Sequence, residues 1–315
     1  MTAYLVRRFL TSLVILLGVS FVVFVLLHTI YPSPAIDVLG IRTSPLSIAA
    51  WNKSHGFDDP FTVQYFHYLN RLAHGDLGYS YKLNQSVAQL FGERWARSAW
   101  LSGSALLLAV IIAIPLGIYQ AVRRNTIGDN VATTLSFVAY AMPDFFFYLM
   151  AVQVLALTFP VFSFQASQSP NIFTVITDWR GMTLPILSVT LLIVAGFSRY
   201  MRSASMATLA QDYIVAAKAR GLPERLVLYR HLVRNASLPM LTLIGLYIPA
   251  LLVGNVVVED VFNYPGLGLL FFDALGIADY QVLLAWVLVG AALTIAGNLL
   301  ADIALTVADP RIRLS

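Results

Sequence analysis

Long apolar runs constrain this chain more than any other feature of its sequence. The first covers residues 9–30 and contains no Asp, Glu, Lys or Arg. A helix that crosses the hydrocarbon core needs about 20 mostly apolar residues, because its backbone polar groups must be satisfied within the helix. Only 11% of the chain is charged, against about 25% in ordinary soluble domains. The sequence therefore predicts an all-α polytopic membrane protein.

Six segments are long and apolar enough to be predicted as membrane spans. Five of them cover residues 9–30, 98–122, 131–159, 236–258 and 280 to about 308. The fourth span in chain order begins near residue 181 and stays uncharged up to 198. The third is interrupted by Pro143-Asp144. The first is too long, and lacks the cleavage pattern, for a signal peptide, so we interpret it as an uncleaved span. We expect a single transmembrane domain over residues 1–315.

The distribution of Lys and Arg predicts the orientation of these spans. With the N-terminus inside, the inside pieces hold 13 of the 20 basic residues. The outside pieces hold 7, and the loop 259–279 holds none. Because basic residues collect on the cytoplasmic side of a membrane, we expect both termini in the cytoplasm. Segment 31–97 is then an external loop, and 208–235 lies in the longest cytoplasmic loop.

The cytoplasmic segment 208–235 has the pattern of a helical hairpin. Residues 212–220 favour a helix, Gly221 suits the left-handed position after its end, and Pro223 suits the first position of the next helix. The second helix is amphipathic at 3.6 residues per turn. Its predicted apolar arc contains Leu226, Leu228, Tyr229, Leu232 and Val233. Two interpretations remain open, a basic loop that touches lipid phosphates and a knob that fits a groove in another protein.

The same segment resembles a known motif. Ala216-Ala217-x-x-x-Gly221 is similar to the cytoplasmic loop motif of bacterial ABC importer permeases, with Val215 where that motif has Glu. Further similarity to the dipeptide/oligopeptide branch, in its first-permease (B-type) form, spans the chain. It includes residues 4–10, 74–80, 212–239, 258–268 and 309–313. The order and number of these matches identify the chain as resembling that branch.

The resemblance implies a type I ABC importer permease fold and an alternating-access transport function. The substrate would be a di- or oligopeptide or a related small ligand, since the branch also handles nickel chelates, glutathione and haem. Implied partners are a homologous second permease subunit, two ATP-binding subunits and an external substrate-binding protein, at the bacterial plasma membrane. The sequence has no G-x-x-x-x-G-K-[ST] phosphate loop. We therefore expect a non-catalytic subunit without nucleic-acid partner, metal or cofactor of its own, with ATP and Mg in the partner ATPases.

The resemblance also suggests which residues meet the ATPases. In this interpretation the 212–234 loop is a coupling element that transmits ATPase closure to the spans. The expected coupling residues are Ala216, Ala217, Gly221, Leu222, Pro223 and Glu224.

Other candidate residues lie at the predicted break and in the external loops. Pro143 and Asp144 are candidates for the translocation path, since a carboxylate at membrane depth is costly and faces a cavity or a partner. Pairing with a neighbouring helix, or local water at a kink, would also explain Asp144. Candidates for an external gate or a contact with the binding protein are Asp76, Tyr79, Glu259, Asp260 and Tyr264. The external segment could equally cap the mouth of the path.

Two rival functions predict features that the sequence does not display. A self-contained secondary transporter or channel often has inverted repeats with broken helices in both halves, and no internal repeat is visible. A membrane-embedded protease needs H-E-x-x-H, or a Ser with a His at membrane depth. Only His28 lies in a predicted span, and the five histidines have no metal-ligand spacing.

Overall fold

A computed structural model describes residues 2–30, 33–40 and 42–308, and almost all regular structure in them is helical. The matched motif at 309–313 lies outside the described residues. In chain order the elements are α1 (Thr2–Ile30), α2 (Ala35–Leu39), α3 (Pro45–His55), α4 (Phe61–Ala73), β1 (Tyr79–Ser80), β2 (Gln85–Ser86), α5 (Val87–Val122), α6 (Ile127–Ala141), α7 (Asp144–Val152), a π-helical turn (Gln153–Thr158), α8 (Ile172–Thr177), α9 (Trp179–Leu209), α10 (Asp212–Ala219), α11 (Glu224–Leu226), a second π-helical turn (Val227–Val233), α12 (Arg234–Ala236), α13 (Leu238–Val253), α14 (Val256–Val261), α15 (Leu267–Ile277) and α16 (Tyr280–Ala308).

The described residues contain four helices that are long and apolar enough to cross a membrane, namely α1, α5, α9 and α16. The count becomes five if α6 and α7 with its π-helical turn form one bent span. The predicted count of six is therefore not confirmed. The predicted span 236–258 is divided at Gly254, which has a φ of +92°. Its longer part, α13, has 16 residues and is about 24 Å long, shorter than the ~30 Å hydrocarbon core.

The predicted break at Pro143 is present and is sharp. The helices on its two sides, Ile127–Ala141 and Asp144–Thr158, are bent by 106° relative to each other. Met142 has extended backbone angles, with φ −74° and ψ 138°. A proline ring disfavours the helical conformation in the residue before it, which explains why α6 ends here. Pro143 then precedes α7, where its missing N–H breaks no helical hydrogen bond.

Helices α5 and α9 form the centre of the fold. A Cβ added at Gly117 of α5 would lie 2.6 Å from Met201 Cβ and 2.7 Å from the Ser198 carbonyl oxygen, both on α9. Glycine at this point therefore lets the two helices approach closely, as small residues do in membrane helix packing. The buried Ala105, Ala109 and Ala113 continue the same contact face along α5.

The segment between α1 and α5 folds back onto α1 and α16. Helix α4 covers Phe61–Ala73 of this segment. Its Tyr68 is buried in a cluster with Phe24 of α1 and Tyr280 and Leu284 of α16. Ring contacts join Phe24 to Tyr68 at 5.4 Å between centroids. Helix α4 is thus held against α1 and α16.

A second fold-back is formed by α14 and α15. A Cβ at Gly268 would lie 2.7 Å from the backbone nitrogen of Val256, so glycine is needed for the two helices to meet. Leu267 and Leu270 of α15 pack in one cluster with Val87 and Leu90 at the start of α5. This arrangement buries part of the loop that the sequence places between the last two spans, including Phe262, Tyr264 and Leu267.

Candidate functional site

The predicted helical hairpin is present between α9 and α13. Helix α10 ends at Ala219, and Gly221 follows with a φ of +75°, the left-handed conformation expected from the sequence. Pro223 directly precedes α11, one position earlier than predicted, and Glu224 is the first helical residue. A negative side chain at that position complements the helix dipole.

A small hydrophobic core holds the hairpin together. Ile214, Ala217 and Val227 are buried in it, and Leu222 is partly buried against them. Ala217 therefore faces the interior of the hairpin. Of the six predicted coupling residues, the exposed ones are Ala216, Gly221, Pro223 and Glu224. Their contact with an ATPase stays a prediction.

The second half of the hairpin differs from the predicted α-helix. Residues Val227–Val233 form a π-helical turn, in which hydrogen bonds join residues five apart. That spacing places Val227 and Leu232 on one face, and both are fully buried. The apolar arc predicted from 3.6 residues per turn is wrong for Tyr229, which is 78% exposed. The wider turn changes which side chains point inward.

The hairpin is continuous with the main core. Leu232, Ala236 and Met240 are buried in the same cluster as Phe197 and Met201 of α9. Side chains on both sides of the π-helical turn thus tie it to the central helix. A displacement of the hairpin would be transmitted to α9 through packed side chains, because close-packed interiors deform little.

The structure contains an ion pair near the hairpin end of α9 that the sequence did not predict. The Arg202 guanidinium donates to the two oxygens of Asp129 at 3.0 and 2.9 Å. Asp129 is buried and also accepts hydrogen bonds from the Asn125 backbone and the Thr133 hydroxyl. The neighbouring Arg199 lies over the Phe137 ring at 4.1 Å. These contacts join α9 to α6.

A cavity of about 400 Å³ lies beside the break at Pro143. Asp144 lines it, and its carboxylate interacts electrostatically with the hydroxyls of Tyr148 and Tyr247. The other lining residues are Ser102, Ala139, Tyr140, Val189, Leu192, Ile193 and Asn255. The predicted path residue therefore faces a cavity that is walled by α5, α6, α7, α9 and α13.

Two of the external candidates are buried supports of the second fold-back. Glu259 Oε2 accepts from the backbone N–H groups of Gly268 at 2.7 Å and Leu269 at 3.2 Å. The Tyr264 hydroxyl donates to the Arg97 carbonyl at 3.0 Å. Both side chains are fully buried, and burial raises the pKa of the Glu259 carboxyl to about 7. They position backbone at the start of α15.

The remaining external candidates have accessible surface. Asp76 is exposed and accepts from the Gly78 N–H at 2.8 Å. Tyr79 is 40% exposed and donates to Asn84 Oδ1 at 2.6 Å, across the β1–β2 turn. Asp260 is half-buried at the end of α14. A contact between these residues and a binding protein stays a prediction.

Comparison with known proteins assigns the chain to a family. Residues 113–314 match the family described as "Binding-protein-dependent transport system inner membrane component". Residues 1–102 match the N-terminal family of the same membrane components. The two matches together cover nearly the whole chain, including the predicted coupling segment.

Individual relatives are similar to this chain along almost their whole lengths. The oligopeptide transport system permease protein AppB of Bacillus subtilis (strain 168) is 35% identical over 314 residues, which is 99% of each chain. The glutathione transport system permease protein GsiC of Salmonella choleraesuis is 32% identical over 99% of each chain. The dipeptide transport system permease protein DppB of Alkalihalophilus pseudofirmus is 31% identical, covering 99% of this chain and all of the relative. The chain belongs to the binding-protein-dependent transport system inner membrane components, in the branch of the peptide permeases.

Proposed function

We propose that this chain is the permease subunit of an ATP-driven importer that moves di- or oligopeptides, or a related small ligand, by alternating access. Family membership supports the permease role, and the oligopeptide, dipeptide and glutathione permeases among its relatives support a peptide-like substrate. The subunit itself is non-catalytic in this proposal. ATP and Mg are bound by two partner ATPases, and an external binding protein delivers substrate to this chain and a homologous second permease.

The hairpin is the observation that carries the proposal. It presents an exposed turn at Gly221 and is joined to α9 through the buried Leu232 and Ala236. An exposed knob on a firmly packed stem suits a part that another protein moves. Ala216, Gly221, Pro223 and Glu224 would touch the ATPase groove, while Ala217 and Leu222 keep the knob rigid. Closure of the ATPases would then tilt α9 and the helices packed on it.

The cavity at Asp144 is the proposed section of the translocation path. A carboxylate beside Tyr140, Tyr148 and Tyr247 offers a negative charge and aromatic faces to a cation. A peptide carries an α-ammonium group that fits this chemistry. The bend at Pro143 would give the cavity a wall that can move with α6 and α7.

The proposed orientation places both termini and the hairpin in the cytoplasm. Six crossings then follow if the bent α6–α7 pair is one and the short α13 is another. Asp76, Tyr79 and Asp260 would meet the external binding protein. Glu259 and Tyr264 would frame the external gate from within, by holding the start of α15.

Uptake into proteoliposomes tests this proposal against a self-contained transporter. The chain is reconstituted with its partner subunits and binding protein, and labelled peptide uptake is measured with ATP inside or outside the vesicle. Uptake should require ATP on the hairpin side and stop when the partner ATPase is disabled by mutation. Ion-driven uptake by this chain alone, or uptake that persists with the disabled ATPase, would contradict the proposal.

A further inference from the structure

A second cavity, of about 390 Å³, lies where α1 and α16 meet the α3–α4 segment. It shares no lining residue with the cavity at Asp144. Its apolar floor consists of Phe24 and Leu27 of α1 and Leu284 of α16. Tyr280 begins α16, and Leu27 is close to the end of α1 at Ile30. The cavity is therefore at the boundary between two membrane helices and the segment outside them.

Three buried polar atoms in this cavity have no hydrogen-bond partner among the described residues. They are the hydroxyls of Tyr68 and Tyr280, which are 3% and 9% exposed, and Oε1 of Gln281, which is 6% exposed. All three residues line the cavity. Leaving a buried polar group unpaired typically costs about 1–3 kcal/mol, so such groups are usually satisfied by ordered water or by a molecule that binds in the site.

Arg71 is exposed and is the arginine that lines this cavity, together with Tyr68, Tyr81 and Tyr280. Its positive charge is close enough to act electrostatically on the three tyrosine hydroxyls. No ion pair joins Arg71 to a carboxylate within the ranges that the structure describes, although Asp59 also lines the cavity. A guanidinium and phenolic hydroxyls that line one cavity are hydrogen-bond donors that suit the oxygens of a phosphate.

We propose that this cavity binds the phosphate headgroup of a membrane phospholipid. The phosphate oxygens meet Arg71 and the hydroxyl of Tyr68, and the start of the acyl chains lies on Phe24, Leu27 and Leu284. Tyrosines are enriched at the headgroup level of membranes, which is where the ends of α1 and α16 place this cavity. Free inorganic phosphate has the same donors available, but it leaves the apolar floor uncovered.

Ligand-induced stabilisation of the purified protein tests the proposal. The full-length chain is purified in detergent with the subunits that accompany it, and its unfolding midpoint is measured at increasing ligand concentration. The three ligands are short-chain phosphatidylglycerol, diacylglycerol of the same chain length, and inorganic phosphate. Native mass spectrometry counts the lipid that stays bound. The variants are Arg71→Gln and Tyr68→Phe, with Lys53→Gln as an exposed control on α3 outside the cavity.

Phosphatidylglycerol should raise the midpoint of the wild type and of Lys53→Gln, and the other two ligands should have little effect. Arg71→Gln should need about tenfold more lipid, as expected for losing a charged hydrogen bond. Tyr68→Phe should also bind more weakly, yet its lipid-free midpoint should not fall, because the hydroxyl has no protein partner. That combination would not result from general damage to the fold.

Three results would overturn the proposal. Equal lipid responses in Arg71→Gln, Tyr68→Phe and wild type would show general solvation by lipid. If diacylglycerol raises the unfolding midpoint as much as phosphatidylglycerol does, the cavity binds only acyl chains and has no phosphate site. Inorganic phosphate giving the full Arg71-dependent shift would make this a free-anion site without a lipid role. If Arg71→Gln does not fold, the comparison of Tyr68→Phe with wild type decides.

Discussion

At the scale of single residues, the pair of Arg202 and Asp129 is a two-point salt bridge between α9 and α6. The Asp129 side chain is 1% exposed and that of Arg202 is 22% exposed. Arg202→Gln should lower the free energy of unfolding by about 3 kcal/mol, because it leaves a buried carboxylate without its partner. Denaturant unfolding in detergent measures this loss. Arg124→Gln, at an exposed arginine in the loop that precedes α6, is the control.

The double variant Asp129→Asn/Arg202→Gln sharpens that prediction. Removing both charges should restore part of the stability lost in the single variant, since no uncompensated charge remains. If Arg202→Gln lowers the free energy of unfolding by less than about 0.5 kcal/mol, the pair behaves as an ordinary surface contact. That result would contradict its role as a stabilising salt bridge.

The raised pKa of the Glu259 carboxyl should make the stability of the protein depend on pH. Burial raises the pKa of its carboxyl from 4.5 to about 7 in the folded protein. Between these values the folded state holds a proton that the unfolded state has released, so this group makes stability fall as pH rises from about 4.5 to about 7. Glu259→Gln should remove that component. Unfolding midpoints across this range, in wild type and variant, measure it, and identical pH profiles would count against the account.

The residues that could be predicted from the sequence are those with local signals. Gly221 was predictable because a left-handed position after a helix is specified by a few neighbouring residues. The partners of Asp129 and Glu259 were not predictable. Arg202 is 73 residues from Asp129, and Glu259 bonds backbone groups whose position depends on the packing of α15.

At the scale of elements, the π-helical turn of the hairpin is the part with the clearest mechanical consequence. Leu232→Ala should lower the free energy of unfolding by about 3 kcal/mol, because it opens a cavity where the hairpin joins the main core. Transport should fall more than ATP hydrolysis, since the knob loses its firm stem. Tyr229→Ala, on the exposed side of the same turn, is the matched control and should change stability by less than about 0.5 kcal/mol. Equal losses in both variants would refute the inward role of Leu232.

The elements were predictable where a helix follows an uninterrupted apolar run. The end of α5, the start of α9 and both ends of α16 lie within two residues of the predicted span limits. The start of α5 at Val87 and the end of α9 at Leu209 lie eleven residues beyond the predicted apolar runs, because those parts of the helices contain charged residues. Prediction failed where backbone geometry departs from the α-helix. The break at Pro143 was predicted, but its angle of 106° was not. The π-helical turn at Val227–Val233 and the division of the fifth predicted span at Gly254 were not predicted.

At the scale of the whole molecule, orientation in the membrane follows from the distribution of basic residues. The chain has no cysteine, so single cysteines can be introduced without background labelling. Lys218→Cys in the hairpin should react with a membrane-impermeant thiol reagent only from the cytoplasmic side. Lys53→Cys on α3 should react only from outside. Labelling of intact cells and of inside-out vesicles measures both, and the reverse pattern would invert the proposed topology.

The central claim is that the hairpin turn links ATP hydrolysis to movement of the central helices. A Cβ at Gly221 would meet no atom within 4 Å, so a substitution there is restricted only by the positive φ of +75°. Asn tolerates that conformation well, whereas Arg adds a large charged side chain to the surface that would meet the ATPase. Gly221→Asn is therefore the conformational control for Gly221→Arg.

The most direct test is the number of peptides imported per ATP hydrolysed, measured in proteoliposomes that contain the complete complex. Wild type and Gly221→Asn should give similar ratios. Gly221→Arg should insert and assemble normally and hydrolyse ATP, but its ratio should fall by about tenfold or more, because closure of the ATPases no longer moves the hairpin. An unchanged ratio in Gly221→Arg would contradict the assignment of the hairpin as the coupling element.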